Sequence, residues 1–125
     1  GVDAVGSAHH RPGQAAPVSM AEVIWTEPAL SDLEAIAHYI ALDKPTAARA
    51  LVQRVVEHVG QLADHPLSGS KLPEFKGWRY RQIIEPPCRV IYRHEKGHVH
   101  MLHVVRGERL LEQAVLKSRS KTPKP

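Results

Sequence analysis

The sequence predicts an α+β domain: a small, twisted, mainly antiparallel sheet with an N-terminal helical hairpin packed on one face. Three observations carry that prediction. Between residues 27 and 64, apolar side chains recur at three- and four-residue spacing, broken only around Pro45, which reads as two amphipathic helices. Between residues 78 and 105 the pattern becomes short alternating runs, separated by Pro86-Pro87 and by Glu95-Lys96-Gly97, which reads as three strands. A chain of 125 residues holds one compact domain with a real core and is too short for two.

Residues 1–19 (GVDAVGSAHHRPGQAAPVS) are rich in Gly, Ala, Pro and His and show no hydrophobic period. They lack the basic start and continuous apolar stretch of a signal peptide. They read as a flexible leader or a cloning remnant, with Met20 as the original start. Residues 20–119 are expected to form the domain and 120–125 a flexible tail.

Glu22–Trp25 is a strand candidate. Thr26 then offers a capping hydroxyl, and Pro28 suits the first turn of a helix. Leu30, Leu33, Ile36, Ala37 and Ile40 form one apolar stripe. Pro45 ends this helix and opens the next, which runs to the region of Asp64 before His65-Pro66 stops it. Its apolar face is Ala48, Leu51, Val52, Val55, Val56, Val59 and Leu62. Gly60 costs roughly 1 kcal/mol in helix propensity there, so the end is expected to fray. Helices joined by so short a connection make an antiparallel hairpin.

Residues 66–76 (PLSGSKLPEFK) are turn-rich and lead into strands expected over 78–85, 88–94 and 98–105. Proline forbids the positive φ of a type I′ turn, so the Pro86-Pro87 loop is expected to be wider than two residues. Gly97 can take the left-handed position of the second turn. A closing helix is expected over 108–117, with Leu110, Leu111, Ala114 and Val115 apolar. Trp25 and Trp78 bracket the hairpin and read as core edges.

Charge is unevenly distributed. Residues 20–70 hold three Lys/Arg against seven Asp/Glu, while residues 71–125 hold thirteen against five. A basic second half suits an acidic partner. Six arginines fall between residues 79 and 109: Arg79, Arg81, Arg89, Arg93, Arg106 and Arg109. Arginine presents a planar, permanent charge to carboxylates and phosphates. Alternation puts Arg79 and Arg81 on one face of their strand, and Arg89 and Arg93 on one face of the next. If the helices cover one side of the sheet, all four are expected on the open side. Glu85 and Glu95 would be their local partners on a merely solvated face. Tyr92, on the other face with Cys88 and Val90, reads as core.

No run approaches the roughly 18–20 apolar residues of a membrane span. The single cysteine, Cys88, excludes an internal disulfide and fits a reducing cytoplasm; it reads as a small, half-buried strand residue. His98 and His100 share a face with His94 across the turn, but no further ligand stands at a convincing spacing. Neither metal nor other cofactor is expected.

The ordered set Glu27-Pro28-Ala29, Leu33, Tyr39-Ile40, Leu62-Ala63, His65-Pro66, Gly69, Arg81-Gln82-Ile83-Ile84, Cys88-Arg89-Val90-Ile91-Tyr92-Arg93 and Val104-Val105-Arg106-Gly107 resembles the RelE/ParE superfamily of bacterial toxin–antitoxin toxins. The resemblance spans residues 22–118 and leans to the ParE branch. It implies a toxin that binds DNA gyrase without chemistry of its own and is neutralised in a hetero-oligomer with a cognate antitoxin. Target contacts would then fall on Arg106, Gly107 and Arg109, and antitoxin contacts on Arg79, Arg81, Arg89 and Arg93. The RelE branch instead cuts messenger RNA on the ribosome, which would use Arg81, Arg89, His103 and Arg106. That chemistry needs groups that move protons and stabilise phosphate charge. After the last strand this chain has Arg106-Gly107-Glu108-Arg109 and lacks the Tyr or His that RelE-like toxins place there, which favours the ParE-like expectation. A plain nucleic-acid-binding module is the third alternative, permitted by the basic half but supported by no recognised binding motif.

Overall fold

The computed structural model of the chain describes residues 20–73, 75, 79–107 and 113–120. In chain order the elements are β1 (Glu22–Trp25), α1 (Glu27–Ala41), α2 (Pro45–Gly60), β2 (Ser70–Lys71), β3 (Tyr80–Glu85), β4 (Cys88–Glu95), β5 (His98–Arg106) and α3 (Gln113–Ser120). A 3₁₀ turn, Gln61–Ala63, continues α2 past Gly60. The five strands form one sheet in the order β1-β5-β4-β3-β2. Its pairings are antiparallel except β1 with β5, which is parallel because the helical hairpin intervenes between them in the chain.

The helix starts follow the sequence. The Thr26 hydroxyl accepts from the Ala29 N–H at 3.4 Å and donates to the Met101 carbonyl at 2.6 Å, so one side chain caps α1 and ties it to β5. Against the sheet the hairpin buries Ala29 and Leu33 of α1 and Leu51, Val55 and Val59 of α2, while Ala48 is buried outside that cluster of contacts. Leu30 and Val56, expected in the apolar stripes, are instead 43% and 49% exposed. Each lies at the stripe's margin, beyond the arc that touches the sheet.

Two apolar clusters lie on opposite faces of the sheet. The hairpin-side core joins the helices to Ile83, Cys88, Val90, Tyr92, Val99, Met101 and Val104. The second core joins Leu72, Tyr80, Ile91, Leu102 and Val105 to Leu116 of α3. The sheet's far face is therefore partly covered rather than open. Of the closing helix expected over 108–117, residues 108–112 lie outside the described residues, and the helix is found over 113–120. Cys88 is fully buried rather than half-buried.

Tyr92 is the pivot of the hairpin-side core. It is wholly buried, accepts from the Gly69 N–H at 2.9 Å and donates to the Pro66 carbonyl at 2.8 Å. Burial pushes its phenol above the ordinary value, against the opposing bond from Gly69 and the Arg81 charge. Gly69 must be glycine for steric reasons. A Cβ there would lie 2.5 Å from the Gln82 carbonyl oxygen and 2.6 Å from the Tyr92 hydroxyl.

The β3–β4 turn corrects the sequence reading. Glu85 pairs with Cys88, so only Pro86 and Pro87 lie in the loop, joined by a cis peptide bond. Loop length fixes register, and a one-residue change of register exchanges the faces of a strand. Here Arg81 stands opposite Tyr92, Arg89 opposite Ile84 and Arg93 opposite Tyr80. Arg81 thus shares the hairpin face with Tyr92, while Arg89 and Arg93 share the other. The four arginines do not form one open face.

At the β4–β5 turn Glu95 pairs with His98. Both loop residues have positive φ, 51° at Lys96 and 82° at Gly97, the two-residue hairpin geometry that matches strand twist. Residues 1–19, Trp78, Arg109 and the tail 121–125 lie outside the described residues.

Candidate functional site

The sequence-selected residues occupy separate places. Arg81 donates to the carbonyls of Leu67 and Gly69 at 3.2 and 2.7 Å, holding the loop before β2. Arg89 donates from Nε to the Gln82 side-chain oxygen at 2.8 Å on the opposite face. Arg93 lies 3.0 Å from Glu95, and Arg79 lies 3.9 Å from the same carboxylate. Arg79 is the most open of these, with its side chain 73% exposed. Glu85, expected beside the sheet arginines, instead binds Arg54 and His58 of α2, at 3.2 and 3.0 Å.

His103 sits on the outer edge of β5. The strand carries a bulge there: Ile91 pairs with His103 and Tyr92 with Met101, leaving Leu102 as the extra residue. β1 covers that edge only as far as Met101. Beyond it, side chains replace the missing neighbour strand. Asp32 of α1 accepts from the Val104 N–H at 3.0 Å, and Arg119 of α3 donates to the Leu102 carbonyl at 3.1 Å. Asp32 also lies 2.6 Å from both His103 Nδ1 and Arg119 Nη1.

One carboxylate thereby joins α1, β5 and α3. Burial raises its pKa, but the bonds from His103, Arg119 and Val104, with the His103 charge, outweigh burial and leave it below the ordinary carboxylate value of 3.8. An ionised Asp32 requires a proton on His103 Nδ1, because that nitrogen could otherwise only accept. Arg119 Nη1, 2.8 Å from Nδ1, then directs its hydrogens to Asp32 and Leu102. Asp32 and Arg119 escaped the sequence reading. They stand 71 and 16 positions from His103, and only the bulge brings them together.

A second assembly stands at the C-terminal end of β5. The Arg106 guanidinium lies over the Tyr39 ring of α1, 5.1 Å from its centroid. The Gly107 N–H donates to the Pro87 carbonyl at 2.8 Å, pinning this end to the β3–β4 turn. Nothing at 107 demands glycine: its φ is not in the left-handed region, and a Cβ would meet only the Pro87 oxygen, at 3.6 Å.

The histidine grouping near the β4–β5 turn also divides. His98 and His100 are neighbours, their rings 5.9 Å apart, and His98 lies 3.2 Å from Glu22. His94 pairs with Val99 and so faces the hairpin side, opposite the other two.

The ensemble has two halves, an edge junction that holds α1, β5 and α3 together and a Tyr39–Arg106 contact in which the ring is exposed and the guanidinium half-buried. The same architecture is found in the chromosomal ParDE toxin–antitoxin system from P. aeruginosa. That match has a TM-score of 0.60 and 27% identity over 72% of this chain and 99% of that one. Toxin RelE2 of Caulobacter vibrioides is 33% identical over 95 residues, spanning 73% of this chain and all of the relative. The family model of the ParE toxin of the type II toxin–antitoxin system parDE matches residues 23–111. From the helical hairpin to the end of the sheet, this chain belongs to the ParE toxin family of type II toxin–antitoxin systems.

Proposed function

We propose that this type II toxin acts by binding, as an inhibitor of DNA gyrase, and is neutralised by a cognate antitoxin. The observation that carries the reading is the dispersal of the nuclease candidates. Arg81 and Arg106 lie on the hairpin face, Arg89 on the opposite face, and His103 on the free edge of β5. General acid–base cleavage needs its groups converged on one phosphodiester. Recognition does not, and the Arg106 end offers a surface suited to it, with Gly107 beside it and Arg109 close in sequence.

Antitoxin binding is supported by the ParDE likeness and by the basic second half of the chain. An antitoxin segment with apolar and polar side chains would seat in the groove between α1 and α2, lined by Ala37, Ala41, Ala48 and Val52 beside His38 and Arg49. Acidic side chains would reach Arg79, Arg89 and Arg93, with Arg81 largely engaged by its own loop. Charge governs chiefly the association rate, so added salt should slow association more than it speeds dissociation.

One observation favours the ribosome-dependent nuclease as a second reading. The Asp32–His103 bond holds Nδ1 as the donor, so in the neutral ring Nε2 is the nitrogen left to accept a proton, the orientation a general base requires. The discriminating experiment measures gyrase supercoiling and cleavage of ribosome-bound message with the same purified toxin. Inhibited supercoiling, abolished by Arg106→Glu with Arg109→Glu, is the expected result. Cleaved message with unaffected supercoiling would overturn the proposal.

A further inference from the structure

We propose that Glu85 is a positioning residue: with Arg54 and His58 of α2 it sets the course of the chain as it leaves β5 at Gly107. The inference rests on the reading above, which places target contacts at that end of β5, and it brings α2 into a role so far confined to the strand.

The Pro86-Pro87 turn has no N–H to offer, because neither proline carries one. It presents two carbonyls, and each is taken by a different element. Pro86 accepts from Arg54 Nη2 at 3.3 Å, and Pro87 accepts from the Gly107 N–H at 2.8 Å. The turn is therefore a bridge from α2 to the exit of β5. Glu85 stands at its root, paired with Cys88, which pairs in turn with Arg106. Its two carboxylate oxygens are engaged separately, Oε1 by Arg54 Nε at 3.2 Å and Oε2 by His58 Nδ1 at 3.0 Å. Arg54 and His58 lie four residues apart, on one flank of α2. Two donors at that spacing fix both the position and the rotation of one carboxylate.

This cluster is not needed to fasten the helix to the sheet. Val55 and Val59 already bury α2 in the hairpin-side core with Ile83. The Arg54 and His58 side chains remain 48% and 34% exposed, and pairs at that exposure add little to global stability. Their consequence is local: they remove freedom from a two-residue turn that holds Gly107.

The test compares Glu85→Leu, which keeps bulk but loses both oxygens, with Glu85→Gln, which keeps an oxygen for Arg54 and offers an N–H to His58. Arg54→Leu makes the same break from the helix side. For each purified toxin the exchange rate of the Gly107 amide is measured by NMR, alongside melting temperature, inhibition of supercoiling and growth arrest in cells. In both leucine variants Gly107 should exchange roughly tenfold faster, about the worth of one hydrogen bond, while Tyr92 and Val99 keep wild-type rates. Potency per folded molecule should fall about fivefold or more, the scale of a lost interface contact. Glu85→Gln should return exchange and potency to within about twofold of wild type. Unchanged exchange at Gly107 in both leucine variants would overturn the assignment, and so would faster exchange with full potency. Acceleration shared equally by Tyr92 and Val99 would also overturn it, because the cluster would then serve the whole fold. A wild-type toxin that spares gyrase would refute the gyrase reading separately, and growth arrest with the Gly107 rates would then decide Glu85.

Discussion

The two sides of the sheet are held in different ways. On the hairpin side, two long helices and four strands share one apolar cluster, with Tyr92 fastening the loop at Gly69 into it. On the other side, α3 docks on a cluster that is smaller among the described residues. Its anchors include Leu116 in the second core, Arg119 on Asp32 and the Leu102 carbonyl, and Ser120 on the Tyr80 hydroxyl. The first arrangement fails only as a whole. The second can detach while the rest stays folded, because local opening follows the local density of buried contacts. The comparison separates what makes the domain fold from what shapes its C-terminal end.

The largest effect should come from Gly69→Ala. The added methyl meets backbone at a distance that requires the loop or Tyr92 to move, so a global loss of about 3 kcal/mol is expected. Chemical denaturation monitored across the whole domain should show one earlier transition. A change confined to α3 would break the comparison.

Leu116→Ala should cost about 2–3 kcal/mol, less than the upper range for a buried leucine because detachment of α3 caps the penalty. Hydrogen exchange should accelerate first in β5 near Leu102 to Val105, ahead of the hairpin-side strands. Uniform acceleration in both regions would show that the second core is no separate unit.

Asp32→Ala should cost about 2 kcal/mol, because Arg119 and His103 lose a largely buried partner. The same junction predicts acid sensitivity. Asp32 has a folded pKa below its unfolded value of 3.8. Its contribution is therefore complete well above pH 3.8 and disappears as pH falls through the lower folded value. Asp32→Asn should flatten that part of the stability curve. An unchanged acid limb would assign the sensitivity to other carboxylates.

The smallest effect lies at the β4–β5 turn. Lys96→Asn should stabilise by about 0.5 kcal/mol, since asparagine tolerates positive φ better than lysine. No change in melting temperature would argue that the lysine makes a compensating contact.

Sequence periodicity identified both long helices, four of the five strands and Tyr92 as core, because each rests on a local pattern a few residues long. What escaped it depended on register. Alternation paired Arg79 with Arg81 and Arg89 with Arg93, but it could not say which face each pair takes, and the register across the Pro86-Pro87 turn puts Arg81 opposite Tyr92 on the hairpin face. The bulge at Leu102 had the same consequence on β5, turning an apparently ordinary strand histidine into a partner of Asp32. β2 has only two residues and no period to detect. The Tyr39–Arg106 contact joins residues 67 positions apart in sequence, with nothing local to announce it.

The central claim, that this toxin works by recognition rather than chemistry, is tested most directly by His103→Gln. Glutamine can still donate to Asp32, so the edge junction is kept while the proton-accepting imidazole is lost. With potency normalised to folded protein, inhibition of gyrase supercoiling should match wild type within about twofold, as expected when no proton transfer is involved. Cleavage of ribosome-bound message by wild type that falls about 100-fold or more in His103→Gln would contradict the account and establish the imidazole as a catalytic group.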